Sequence, residues 1–389
     1  MSLKDRCAVV GIGYTEQGKV PGRPARSLCM EAALNAIEDA GLRPADIDGV
    51  LVQPSPSDPL SGSYHIAHQL SMNPNFISDQ DTWAGTGASA AGIIQHAAMA
   101  VDAGMCRYAL CAFGDSLLSS GALVSGATRK YDLWHDNLTA VYGFFGPAGG
   151  YALAARRHMA EYGTTPRQFG AVATALRKYA VLNPRAQMRR PLSIGDYLNA
   201  RLIIEPFRLY DCCLVSDGGR ALIVTTAERA KDLKQSPVYI MGMGQGHFAA
   251  DLLTRPSLCE TPAKKSGEAA YKMAGITPQD IDVALLYDCF TYTLLVQLED
   301  YGFCAKGEGG PFAEEGNLEL GGRLPTNTSG GLLSEVFLQG WVSISEAVQQ
   351  LRRACGQRQV ENAEIALVSN NGGYGLSALE AHATLILRR

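Results

Sequence analysis

The chain has 389 residues and a net charge of −4, with 19% charged and 47% hydrophobic residues. That balance predicts a folded protein with a large core and gives no basic footprint for nucleic acid. With no run of about 18 apolar residues and an apolar start at Cys7-Ala8-Val9-Val10 that leaves no room for a signal peptide, neither a membrane span nor export is expected, and the expected location is cytoplasmic. Ten cysteines are scattered without a C-x-x-C pair, so neither a zinc site nor a disulfide framework is indicated.

Residues 7–14 read as a buried strand ending in a Gly-rich turn. The G-x-G there lacks the third glycine and the later acidic residue of a dinucleotide site, so that reading is set aside. Residues 27–40 predict a helix with Met30, Leu34 and Ile37 on its inner face and Gly41 as its stop. A Pro turn and the strand Gly49 to Val52 follow. The segment Ala40 to Val52 recurs as Ala274 to Leu286, with seven of thirteen positions identical. A repeat at such a spacing predicts two similar halves, not a solenoid. Val238 to Gly242 opens the second half as Val9 to Gly11 opens the first. Strands Tyr108 to Gly114 and Ile365 to Val368 close them.

Asp79 to Ser89 is a small-residue turn feeding a helix, Ala90 to Ala103, that is apolar nearly all round. Such a helix belongs in the centre of a large domain. A side chain at its start would sit where the helix dipole favours an anion. Ser89 is a candidate nucleophile with His96 as its base, but capping is its plainer role.

Residues 117–205 have no counterpart in the second half and read as an inserted lobe. It holds helices over Tyr151 to Tyr162 and Pro166 to Val181, and a basic cluster, Arg185, Arg189 and Arg190. His135 in the lobe and His247 beyond it are further candidate bases, each also readable as an ordinary surface or core histidine. Cys212 and Cys213 lie in a turn, Asp211 to Ala221, and read as small buried residues. In the second half a strand ends on Tyr287-Asp288-Cys289-Phe290. Ser343 to Glu346 reads as a capping box. The loop Ser369-Asn370-Asn371-Gly372-Gly373-Tyr374-Gly375 offers backbone N–H groups to an oxyanion. The expected division is 1–235 for the first half, with the lobe at about 117–205, and 236–389 for the second.

The ordered motifs AGxxPxDID, G-A-S-x-x-G before a buried helix, SDGG, N-x-S-G-G and NNGGYG resemble the thiolase superfamily over essentially the whole chain. They are most similar to its sterol-carrier-protein and lipid-transfer-protein type. The resemblance implies an α/β fold, a duplicated five-layer αβαβα body with an inserted loop lobe. It also implies where thiolysis residues would stand. The nucleophilic cysteine falls at Gly87, the histidine at Phe337 and the second cysteine at Ser369, so all three positions are vacated. Asp288 stands where an asparagine helps hold a catalytic water.

What remains fits a reaction without a thiolate. Retro-aldol cleavage of a 3-hydroxyacyl-CoA needs a base for the hydroxyl proton and donors for the enolate, with no covalent step. Candidate donors are the Gly372 and Gly373 N–H groups and Asn327. Tyr287, Tyr292 and Tyr374 lie beside the former catalytic loops as candidate acids or bases, core packing being the plainer reading of each. Similar cysteine-less homologues are aldolases that shorten steroid side chains and work with a small partner carrying zinc and an OB-fold. In those aldolases a tyrosine stands where Phe337 is here. The resemblance thus implies a lyase acting on a CoA thioester, with no covalently bound cofactor, and a homodimer. Two alternatives stay open: an acetyl-CoA acetyltransferase or thiolase borrowing Cys289 or Cys111, and a non-catalytic acyl- or lipid-binding subunit of a complex with an OB-fold protein.

Overall fold

The structure is a computed structural model, and it describes residues 2–55, 57–58, 60–80, 87–121, 147–248, 255–372 and 380–389. Thus Trp83, His135, Gly373 and Tyr374 lie outside the described residues. The strands are β1 (Cys7–Tyr14), β2 (Gly49–Gln53), β3 (Phe76–Asp79), β4 (Ala109–Ser116), β5 (Leu202–Ile204), β6 (Phe207–Arg208), β7 (Asp217–Thr226), β8 (Val238–His247), β9 (Val283–Leu286), β10 (Ile365–Gly372) and β11 (Ala381–Arg388). The first five helices described are α1 (Ala25–Ala40), α2 (Ser63–Gln69), α3 (Ser89–Asp102), α4 (Pro147–Tyr162) and α5 (Pro166–Leu182). The others are α6 (Ile194–Asn199), α7 (Ala227–Ala230), α8 (Ala263–Ala274), α9 (Thr291–Asp300), α10 (Gly309–Glu314), α11 (Gly331–Ser334) and α12 (Trp341–Leu351).

Hydrogen bonds order the strands β3-β2-β4-β7-β1-β8-β11-β10-β9 in one mixed sheet. The order reads the same way outward from its middle: β1, β7, β4, β2 on one side and β8, β11, β10, β9 on the other. The two sides join only at Ala8 opposite Tyr239 and Val9 opposite Val238. Helix α1 packs on β1, β4 and β7, and α8 packs on β8 and β11. Helices α3 and α12 touch each other and strands of both sides. The layers are therefore helix, strands, the central helices α3 and α12, strands, helix.

The repeated segment explains itself in hydrogen bonds. In each copy the first Asp of D-I-D accepts the backbone N–H three residues back, from Arg43 to Asp46 at 2.9 Å and from Thr277 to Asp280 at 2.8 Å. The second Asp reaches across to the start of the next strand. Asp48 accepts from Arg107 and Tyr108 at 2.7 and 2.9 Å, and Asp282 from Glu364 and Ile365 at 2.9 and 2.8 Å. Both preceding helices stop at a left-handed glycine, Gly41 (φ 75°) and Gly275 (φ 69°).

Three expectations need correction. Gly11 and Gly13 are not a turn; they lie inside β1. A Cβ on either would run into the α1 backbone at Ala36 or Ala32, so the glycines let helix and strand approach closely. For the same reason the inner face of α1 is made of small residues, Ala25, Ala32, Ala33, Ala36 and Ala40 with Leu28, Cys29 and Ile37, while Leu34 is exposed. Gly242 and Gly244 face α8 in the same way. Third, Ser343 to Glu346 is no capping box. Helix α12 already begins at Trp341, Ser343 and Ser345 donate back to Gly340 and Trp341 carbonyls, and Glu346 is a buried partner of Arg358 and Thr328.

The lobe seats its helices by local chemistry. Thr165 and Gln168 form a reciprocal cap at the start of α5, followed by Pro166 at the first helical position. Arg185 and Arg220 lie over the Tyr14 ring at 4.3 and 4.5 Å from its centroid, so one arginine of the basic cluster is structural. No described helix is long and apolar enough to cross a membrane.

Candidate active site

Helices α3 and α12 begin side by side. A Cβ on Gly340, just before α12, would lie 2.6 Å from the Gly87 carbonyl oxygen. Asn370 pins the two starts together: its Oδ1 accepts from Ala91 N–H at 3.0 Å, and its Nδ2 donates to Ser343 Oγ at 2.7 Å. This amide, not Ser89, caps the central helix; Ser89 is its first helical residue after Ala88. Both positive helix ends therefore point to one place.

At that place lies a cavity of about 260 Å³. Tyr287, Phe337 and Gly372 line it, with Tyr151, Cys213, Cys289, Phe290, Gln339 and Asn371. Tyr287 is nearly buried, and its hydroxyl donates to Gln339 Oε1 at 3.3 Å. Burial pushes its phenol well above the ordinary range, so it is a neutral donor. Gln339 holds a left-handed φ of 53°, the kind of backbone strain that collects at working sites.

The Tyr287 ring occupies the ground of the vacated nucleophile. A Cβ built on Gly87 would come within 2.5 Å of the ring and closer still to the Asn371 carbonyl oxygen. Burial pushes the Cys289 thiol up to about 12 and the Cys213 thiol well above its usual value. Neither is a ready thiolate. Cys111 lies buried in β4, away from the cavity.

Asp288 sits behind Tyr287. Its carboxylate accepts from Leu332 and Leu333 N–H at 3.0 and 3.2 Å, and burial raises it to about 7 against those bonds. A second cavity of about 10 Å³, room for one water, touches both Tyr287 and Asp288. A raised carboxyl binds its proton more tightly in the folded state, so its contribution falls as pH climbs from about 4 to about 7. We therefore expect thermal unfolding scans of the protein to lose several degrees between pH 5 and 8, with a smaller loss in Asp288→Asn. Identical pH slopes would contradict this.

Of the other candidates, Asn327 borders the site: its amide bonds Leu286 N–H and C=O, each at 2.7 Å, its side chain also hydrogen-bonds Asp288, and it lines the same 10 Å³ cavity. The rest stand apart. Tyr292 is fully buried, with its hydroxyl on the Leu258 carbonyl at 3.4 Å and its ring against His158 and Phe169. Ser369 lies two residues below the cavity on β10, accepting from the Tyr301 hydroxyl at 2.7 Å. The residues of that strand reaching the cavity are Asn371 and Gly372. His96 bonds Gln80 at 2.8 Å, and His247 is exposed beside Gln245. Tyr151, Gln339 and Asn371 escaped the sequence reading. Asn371 carried a signal, its place beside the glycine pair; Tyr151 and Gln339 carried none. Among the described residues no group of three or more His, Cys, Asp or Glu is placed to hold a metal.

Five layers with a cavity at the starts of the two central helices define the class: an α/β protein of thiolase fold. Residues 244–389 match the family described as thiolase C-terminal domain-like. The chain belongs to the thiolase superfamily, and it is 27% identical to bovine sterol carrier protein 2 over 95% of this chain and 70% of that one. It is 40% identical to the steroid side-chain-cleaving aldolase of Thermomonospora curvata, over 90% of this chain and 91% of that one. It is 38% identical to the 17-hydroxy-3-oxo-4-pregnene-20-carboxyl-CoA lyase of Mycobacterium tuberculosis, over 97% and 99%. The solved structure of an Ltp2-ChsH2(DUF35) aldolase matches with a TM-score of 0.89 at 37% identity, covering 99% of this chain and 98% of that one.

Proposed function

We propose that this chain is a lyase that cleaves a 3-hydroxyacyl-CoA by a retro-aldol reaction, its acyl group carrying a steroid-like or branched ring substituent, with no cysteine adduct. The observation that carries this reading is the Tyr287 ring in the space a nucleophile at Gly87 would need. The names of two full-length relatives, an aldolase and a CoA-thioester lyase, agree with it.

In the reaction the bond between the hydroxyl-bearing carbon and the α-carbon breaks. Its electron pair passes to the thioester enolate, the hydroxyl proton leaves, and the α-carbon gains a proton. Tyr287, neutral and oriented by Gln339, donates to the enolate or its α-carbon. Asp288, raised to about 7, takes up and releases the hydroxyl proton through the water-sized pocket it shares with Tyr287. The paired helix starts and the Gly372 N–H favour the enolate charge. Phe337 contributes a wall and no proton.

The relatives also motivate two assembly proposals. The chain forms a homodimer, which light scattering would refute by returning a monomer mass. It works beside a second protein, as the two-part name of the Ltp2-ChsH2(DUF35) aldolase suggests, and the family resemblance makes that partner a small zinc-bearing OB-fold protein; the assay below is run with and without it. A cytoplasmic location fits both.

The test is cleavage of a ring-bearing 3-hydroxyacyl-CoA by the purified protein. We expect equal amounts of ketone and shortened acyl-CoA, without added CoA, and unchanged within about twofold by Cys289→Ala or iodoacetamide. Dependence on free CoA together with block by iodoacetamide would overturn the proposal in favour of acyl transfer through Cys289.

A further inference from the structure

Strands β10 and β11 pair with Asn371 opposite His382 and Ser369 opposite Thr384. Directly opposed residues of an antiparallel ladder share a face, with Cβ atoms about 5 Å apart. Asn370, between Ser369 and Asn371, points the other way, into the central helices. So Asn371, His382, Ser369 and Thr384 form one polar square on a strand pair whose other residues, Asn370, Gly372 and Arg388 apart, are Leu, Ala, Val and Ile. All four are fully buried.

Among the described residues two atoms of the square have no partner: Asn371 Oδ1 and His382 Nε2. Leaving buried polar atoms unpaired costs stability, and aliphatic side chains would fit the sheet there. The rest of the square is fully bonded. The Tyr301 hydroxyl donates to Ser369 Oγ at 2.7 Å, and Ser369 Oγ faces His382 Nδ1 at 3.4 Å. With its oxygen taken by Tyr301, Ser369 turns its own proton to Nδ1. That assignment places the single N–H proton of the neutral imidazole on Nε2. Hence directly opposed residues carry an N–H donor and a carbonyl acceptor, both unpaired among the described residues, and Asn371 lines the 260 Å³ cavity. Its Nδ2 meets the Tyr151 hydroxyl of the same wall at 3.4 Å.

We propose that Asn371 and His382 together form a subsite for one hydroxyl group of the ligand, which donates to Asn371 Oδ1 and accepts from His382 Nε2–H. Only a group that is both donor and acceptor satisfies the pair, so the subsite selects a hydroxyacyl chain over its deoxy counterpart. The imidazole stays neutral in this role: burial, then Arg255 and His247, lower it to about 3. Ser369 and Tyr301 act behind it as positioning residues that fix its tautomer. The hydroxyl concerned is that of the 3-hydroxyacyl group in the bound substrate, held here before its proton passes to Asp288, so the inference rests on the function proposed above.

The experiment measures binding by titration calorimetry, in full-length protein carrying Tyr287→Phe so that turnover does not consume the ligand. The two probes are a ring-bearing 3-hydroxyacyl-CoA and the same thioester without the hydroxyl. His382→Leu is expected to weaken the hydroxylated thioester about five- to tenfold, the value of one buried neutral hydrogen bond. The deoxy thioester should change less than about twofold. His382→Gln, which keeps a side-chain N–H, should recover much of the loss. Ser369→Ala, which frees the tautomer, should weaken the hydroxylated probe alone. Should His382→Leu not fold, the Gln and Ala variants carry the same contrast. Equal loss for both thioesters, or none, overturns the subsite. So does equal affinity of the two probes with His382 intact, which would mean that the pair holds only water. Because binding is read without chemistry, failure of the cleavage assay leaves this test standing, and the reverse also holds.

Discussion

Tyr287→Phe is expected to lower kcat for cleavage by about 10² to 10⁴, the usual worth of a positioned acid or base, while the protein melts within a few degrees of its original midpoint. The ring keeps its place against Gly87, and only the 3.3 Å bond to Gln339 is lost. A weak neutral bond of that kind is worth about 1 kcal/mol. Chemistry and packing are thus separable at this one side chain. Steady-state kinetics with a ring-bearing 3-hydroxyacyl-CoA decide the matter, and a drop of under threefold would remove Tyr287 from the reaction. Tyr292→Phe is the matched control. Its hydroxyl meets only the Leu258 carbonyl at 3.4 Å, so its kcat should stay within about threefold.

The second large effect is structural. Gly87→Cys, the substitution that would restore a thiolase nucleophile, should destabilise the fold by about 3 kcal/mol or more, at or above the upper end of overpacking costs. The new Cβ meets the Tyr287 ring at 2.5 Å and also the Asn371 carbonyl oxygen. The ring can move, but the carbonyl belongs to the β10 backbone. A double variant, Gly87→Cys with Tyr287→Ala, should therefore recover only part of the loss. Thermal and urea unfolding measure both. If Gly87→Cys unfolds like the parent protein, the slot is open and the argument against covalent catalysis loses its footing.

Much of this was legible in the sequence because it rests on local chemistry. The repeat around Asp46 and Asp48, and its copy at Asp280 and Asp282, named the two-sided sheet before any strand was placed. The all-apolar helix after Gly87 announced the central layer. Illegible features depend on contacts between distant segments. Gly11 and Gly13 look like a turn until α1 is seen lying on them. Ser369 and Asn371 differ by two positions on one strand, and only the strand's extension to Gly372 shows which reaches the cavity. Asn327 sits in a glycine-rich motif that suggests chemistry, and its amide braces Leu286 while bordering the small cavity beside Asp288. Tyr151 enters the site from the lobe, and its spacing predicted only a helix.

The place of β1 in the sheet has a consequence for synthesis. Its partners β7 and β8 are translated about 200 residues after it. At about 5–20 residues per second, the apolar stretch Cys7 to Tyr14 waits roughly 10–40 s on the ribosome before either neighbour emerges. Throughout that interval the nascent chain carries an unpaired strand and, beside it, an alanine-faced helix with nothing finished to lie on. A chain stalled before Asp217 would keep that strand open, a ready substrate for a holding chaperone and a seed for aggregation. Yield in the cell should therefore respond to chaperone supply during elongation more than to the stability of the finished fold.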